Sequence, residues 1–129
     1  MTRAKKQPAP DAAPVKDLTA AEIFAAADSK PLPVDVPEWG GRVYVRVFNL
    51  DDRAEWHALA GEADEVTRAD MAVNLVAVAA CDANGVRMFS ADDRPLLRGK
   101  AGSAIERIAL AAARLNRLTD SAAKDAAGN

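Results

Sequence analysis

The chain is poor in the residue types that usually carry chemistry. It has one cysteine, Cys81, and one histidine, His57, in 129 residues, with two tryptophans, one tyrosine and three phenylalanines. A lone cysteine excludes an internal disulfide and fits a reducing compartment. A lone histidine leaves no converging set of nitrogen ligands for zinc. No GxxxxGK[ST], GxGxxG or GxSxG is found, so the phosphate-cradling loops and the nucleophile elbow are missing. An excess of positive charge is missing too. The net charge of −2 gives no general attraction to nucleic acid or anionic lipid. The longest apolar stretch, "MAVNLVAVAAC" from Met71 to Cys81, is interrupted by Asn74 and is about half of the ~20 residues that a membrane span needs. Residues 1–17 hold no apolar core of a signal peptide. These absences predict a soluble cytosolic protein that is not an enzyme and needs neither cofactor nor metal.

What is present is mostly alanine and charge. Half of the residues are apolar, but large side chains are few. A chain of this length makes one domain. Its core should be modest and the isolated monomer marginal, which leaves copies of itself or a partner to supply part of the burial. The opening residues 1–16 hold Arg3, Lys5, Lys6 and Lys16 against Asp11, a local charge of +3 that leaves −5 for the rest. With three prolines and no periodicity, residues 1–17 read as a disordered basic arm. Residues 18–119 read as the single folded domain, and "SAAKDAAGN" leaves 120–129 as a flexible tail.

Order begins at "LTAAEIFAAAD", where Thr19 and Glu22 stand at capping-box spacing and Ile23 and Phe24 give a short helix something to bury. Pro31, Pro33 and Pro37 stop that helix and make Val34–Val36 an edge strand at best. Gly40-Gly41 allows a reversal into 42–48, giving a hairpin over about 34–48 with Val43, Val45 and Val47 on the covered face. Asp51 or Asp52 can cap a helix through "RAEWHALA" that stops at Gly61. A longer helix over about Glu65 to Cys81 is apolar nearly all round its second half and should be the most buried. "DANG" turns the chain, "VRMF" can form a third strand, and Ser90 or Asp93 starts a brief turn through Leu97. A final helix over about Ser103 to Leu118 places Ile105, Ile108, Ala112 and Leu115 on one face. The expected class is α+β, predominantly α-helical, with a small antiparallel hairpin packed on about four helices.

Candidate sites are sparse. His57 stands alone on a short helix and reads as a partly exposed helix residue. Cys81 ends an apolar helix, where a free cysteine acts as a small hydrophobe. The pairs Asp51-Asp52 and Asp92-Asp93 stand where helices start, as caps do. Arg107, Arg114 and Arg117 fall on one side of the last helix. With Arg94, Arg98 and Lys100 they could form a DNA-facing surface over residues 91–117 that resembles a helix-turn-helix, against the plainer reading of a solvated face. Trp39 lies in a Pro/Gly turn, where it either anchors an interface or caps the open end of the core.

The segments "LTAAEIFAA" (Leu18 to Ala27) and "VPEWGGRVYVR" (Val36 to Arg46), then "CDANGVRMFS" (Cys81 to Ser90) and "LNRLT" (Leu115 to Thr119), together resemble the tail assembly chaperones of long, non-contractile-tailed bacteriophages. The resemblance covers Leu18 to Thr119, and "PEW-G-VYVR" is its most specific part. It implies a non-enzymatic protein of the bacterial host cytoplasm, absent from the mature virion. Such a protein binds the tape measure protein and keeps it soluble while the tail tube polymerises. It further implies self-association and a longer product made by programmed frameshifting that can reach the tail tube protein. No functional residues of the family are carried over. From the residues alone, Trp39 with the outward Tyr44 and Arg46 are the contact candidates, joined by Arg107 and Arg114. The rival readings are the small DNA-binding regulator and a structural head–tail or tail component of the virion.

Overall fold

The computed structural model describes residues 14–28, 30–62 and 67–118. Most of the basic arm, the residues Glu65 and Val66, and the tail from Thr119 onward lie outside the described residues. The described residues form five α-helices and a three-stranded antiparallel sheet: α1 (Ala20–Ala25), β1 (Leu32–Val36), β2 (Gly41–Val45), α2 (Leu50–Ala60), α3 (Arg68–Ala79), β3 (Ala80–Cys81), α4 (Arg94–Arg98) and α5 (Gly102–Leu115). The architecture is the expected small α+β fold, with strand order β1-β2-β3. No helix among the described residues is long and apolar enough to cross a membrane.

The hairpin follows from its sequence. Pro33 sits on the edge strand, where a missing N–H costs no ladder bond inside the sheet. Val34 pairs with Val43 and Leu32 with Val45. The turn is a short 3₁₀ segment, Pro37–Trp39, closed by Gly40 at φ 70°, a backbone region glycine enters without the Cβ penalty. Val34, Val36 and Val45 are buried beneath α5, which packs on β1, β2 and α3. Strand β2 ends at Val45 rather than continuing to 48. Val47 is only half-buried, and Phe48 enters the core beyond the strand.

Helix α3 carries the core. Every residue from Val73 to Ala79 is buried, and the fully buried Ala77, Ala79, Ala104 and Ala112 let α3 and α5 approach closely. The helix starts at Thr67, whose hydroxyl and the Asp70 carboxylate form a reciprocal capping box. It stops two residues sooner than the apolar run suggests. Ala80 turns to extended backbone, and Ala80–Cys81 becomes the third strand, paired with Val45 and Tyr44. "VRMF" therefore is not that strand. It adds one bridge, Arg87 to Cys81, and the Met88 N–H donates to the Ala80 carbonyl.

Two local expectations are corrected. Asn49, not Asp51 or Asp52, caps α2. Its side chain accepts from the Asp52 N–H while Asp52 reaches back to the Asn49 N–H. Helix α1 has its capping box, yet none of its residues is buried. Ile23 and Phe24 are 54% and 87% exposed, so they cover no part of this chain's core.

Candidate protein-binding surface

An open apolar groove lies beside the hairpin turn. Trp39, Met88, Phe89, Leu96 and Leu97 line a groove of about 440 Å³ with Lys100 at its edge. Three separate pieces of chain build it. The 3₁₀ turn fixes Trp39 through its left-handed Gly40. The bridge at Arg87 fixes Met88 and Phe89. The capping box of Ser90 and Asp93 starts the 3₁₀ turn Ala91–Asp93 that leads into α4, which buries Leu97 and turns Leu96 outward, 74% exposed.

Trp39 keeps 39% of its surface in solvent. The Lys100 ammonium stands 5.9 Å from its ring centroid, inside the range in which a cation is drawn to an indole face. The neighbouring Glu38 carboxylate accepts from Ser103 Oγ at 2.6 Å and Arg107 Nη2 at 2.8 Å. This tie to α5 holds the turn against the helix, and Arg107 with Ser103 pulls the Glu38 pKa down to about 2.

The other residues singled out by sequence fall elsewhere. Tyr44 is half-buried on β2, its backbone opposite Pro33 and Cys81. Arg46 is not an outward contact. Its guanidinium turns inward to Asp52 at 3.1 Å and to the Gly85 carbonyl at 3.2 Å, because β2 has ended and the first turn of α2 brings Asp52 alongside. Arg107 is tied to Glu38 as above, whereas Arg114 is exposed near the end of α5. Of the remaining basic residues, Arg94 pairs with Glu62 and Arg98 with Asp70. These two pairs rim a second hollow of about 300 Å³ whose remaining lining includes Leu59, Val73 and Pro95, so the charges at its rim already answer one another.

Sequence reasoning missed Met88, Phe89 and Leu96 as contact residues, and it placed Lys100 only on a basic surface. One signal was available in "VRMF": its alternation sets Val86 and Met88 on one side and Arg87 and Phe89 on the other. The structure turns Val86 and Met88 outward. Arg87 goes inward because it binds Glu55 through two bonds, 2.7 and 3.1 Å, and the Ala77 carbonyl at 2.9 Å.

Little in the described residues invites covalent or metal chemistry. His57 is exposed on α2, while Cys81 is fully buried, and burial pushes its thiol pKa up, the opposite of what a nucleophile requires. Among the described residues no three His, Cys, Asp or Glu side chains gather where a metal ion could be held. No family model, curated protein or solved structure matches the chain.

Proposed function

We propose that the chain is a non-enzymatic assembly chaperone whose Trp39 groove takes apolar side chains from a helical client. The client we infer is the tape measure protein of a long-tailed phage, because the turn that builds the groove, Pro37 to Gly41, lies within the segment that resembles the tail assembly chaperones. The observation that carries the reading is an open, mainly apolar groove at that turn. In this reading the work is done in the host cytoplasm, before the particle is complete.

The size of the groove sets how the chaperone works. About 440 Å³ admits one or two large side chains, in the manner of anchors spaced three or four residues apart on a helix. Burying each contributes about 1.5–3 kcal/mol, and association costs at least ~4 kcal/mol in lost freedom. One copy therefore binds weakly and leaves readily. Many copies along one long helical client keep its apolar stripe covered, while each remains displaceable when the tube closes around it. Lys100, at the groove edge, suits a client carboxylate or the negative end of a helix.

The DNA-binding reading fares worse on geometry. Arg94, Arg98 and Arg107 each already hold a carboxylate, and α4, at five residues, is short for a helix that positions another on a duplex.

The test is co-expression with the tape measure protein, followed by a pull-down and a solubility assay, for the natural chain and for Trp39→Ala. The natural chain should keep the long protein soluble and co-purify in several copies. Trp39→Ala should fold and lose most of that yield. If the long protein stays insoluble and unbound, or if Trp39→Ala unfolds the chain, the reading fails. Recovery of the chain in purified mature virions would favour a structural tail component instead.

A further inference from the structure

Helix α1 is well specified locally and unsupported globally. Thr19 and Glu22 complete both halves of a capping box. Leu18 and Ile23 occupy the positions just before the cap and four residues after it, which pack together as a hydrophobic staple. Yet six residues fall far short of the ~12–15 at which an isolated helix holds in water. Such a helix draws its stability from packing, and the described residues bury none of its side chains. Leu18, Ile23 and Phe24 are all exposed.

The same chain carries an apolar groove that the described residues leave open, lined by Trp39, Met88, Phe89 and Leu96. The charges of the two surfaces are opposite. Residues 14–28 hold Lys16 against Asp17, Glu22 and Asp28. Glu22 is engaged by Lys16, and Asp17 and Asp28 have no cationic partner among the described residues. At the groove, Lys100 lies over Trp39 and has no carboxylate partner among the described residues. Asp93, the acid that borders the groove, is turned to the Ser90 N–H as a cap.

We propose that α1 of one copy docks into the Trp39 groove of a second copy, with Ile23 and Phe24 as its anchors and Lys100 facing the acidic flank of the incoming segment. The contact joins two different patches, so it propagates head to tail or closes as a reciprocal exchange of arms. Pro31, whose ring lies near Gly85, stands between the arm and β1. The inference stands apart from the identity of the client, because it concerns the chain by itself.

Sedimentation velocity on the purified full chain tests it with two variants at exposed positions, Phe24→Glu in the arm and Leu96→Glu in the groove. Because both side chains lie mostly in solvent, both variants should keep the natural far-UV circular dichroism and melting temperature. The natural chain should associate with rising concentration, and each variant alone should lose that association. An equimolar mixture should recover heterodimers, since Phe24→Glu retains a working groove and Leu96→Glu a working arm. A general greasy patch would give no such rescue. The proposal is overturned if the natural chain stays monomeric, if either folded variant associates like the natural chain, or if the mixture stays monomeric. It is also overturned if a Phe24→Cys, Leu96→Cys pair closes a disulfide within one chain, for then the occupant is the chain's own arm. None of these results bears on client binding, which the pull-down reads separately.

Discussion

Replacing Asn116 by alanine should be among the most damaging single polar substitutions in this fold. Asn116 is the C-cap of α5 and only 3% exposed. Its Oδ1 accepts from the Phe48 N–H at 2.7 Å, and its Nδ2 donates to the Arg46 carbonyl at 3.1 Å and the Ala112 carbonyl at 3.0 Å. Its own carbonyl accepts from Arg53 Nη2 at 3.1 Å. One side chain thus joins the end of α5 to the passage between β2 and α2, 68 residues away in sequence.

Truncation to alanine leaves the buried Phe48 N–H without an acceptor, a loss of about 1–3 kcal/mol, and removes a donor from the Arg46 carbonyl, roughly another 1 kcal/mol. Ala112 is spared, because the Asn116 backbone N–H still donates to it. The expected cost is about 2–4 kcal/mol against a total stability near the low end of ~5–15 kcal/mol. That corresponds to a fall in Tm of roughly 10–25 °C. Urea unfolding followed by circular dichroism measures it, with Arg114→Ala, exposed on the same helix, expected to stay within about 0.5 kcal/mol. Native-state hydrogen exchange adds a local readout, since the Phe48 amide should lose its protection. A cost for Asn116→Ala no larger than that of Arg114→Ala would refute the reasoning.

Two further outcomes are expected. Glu38, held to a pKa of about 2 by Arg107 and Ser103, is a carboxylate with a depressed folded pKa. Its stabilising tie is complete above the unfolded value near 4.5 and is lost as pH falls through about 2. Arg107→Ala should move the titration back up toward the ordinary carboxylate range, read by carboxyl NMR or by the fluorescence of the adjacent Trp39; an unmoved titration would show that Arg107 does not hold the turn. Arg117 follows the α5 cap at φ 59°, a left-handed conformation that costs a side-chain-bearing residue about 1–2 kcal/mol. Arg117→Gly should therefore stabilise the chain by about 0.5–1 kcal/mol, and a lower urea midpoint would contradict that.

Helix starts were legible because a cap is a local device. Thr19 with Glu22 and Ser90 with Asp93 act as their spacing says. At α2 the same rule, applied to Asn49 and Asp52, gives the right cap, whereas the preference for an acid led one turn too far in. The hairpin was legible because proline and glycine restrict few-residue stretches strongly. The third strand was not, since Ala80–Cys81 continues a buried apolar helix and nothing in the composition changes where the backbone extends. Arg46 was misread because alternation assigns a face only while the strand lasts, and its partner Asp52 belongs to the next element. The groove was hidden for a different reason. Residues 39, 88, 89, 96 and 100 meet only after the turn, the Arg87 bridge and α4 are all in place.

The distribution of the large side chains is what ties fold to function. The chain has two tryptophans and three phenylalanines, and only Trp56 and Phe48 are buried in the core. The rest of that core is built from valine, alanine and a few isoleucines and leucines. Scattered surface residues such as Leu50 and Leu110 need no explanation. Phe24 and Trp39 are different, because the first belongs to a helix none of whose residues is buried and the second lines the groove, where Phe89 beside it already packs in part against the core. A monomer selected for its own stability would turn such side chains inward, where each contributes about 1.5–3 kcal/mol. On the proposals made above, keeping them at the surface of a domain with so few leaves the missing burial to association, and the arm of a second copy and the helix of a client would compete for the same groove.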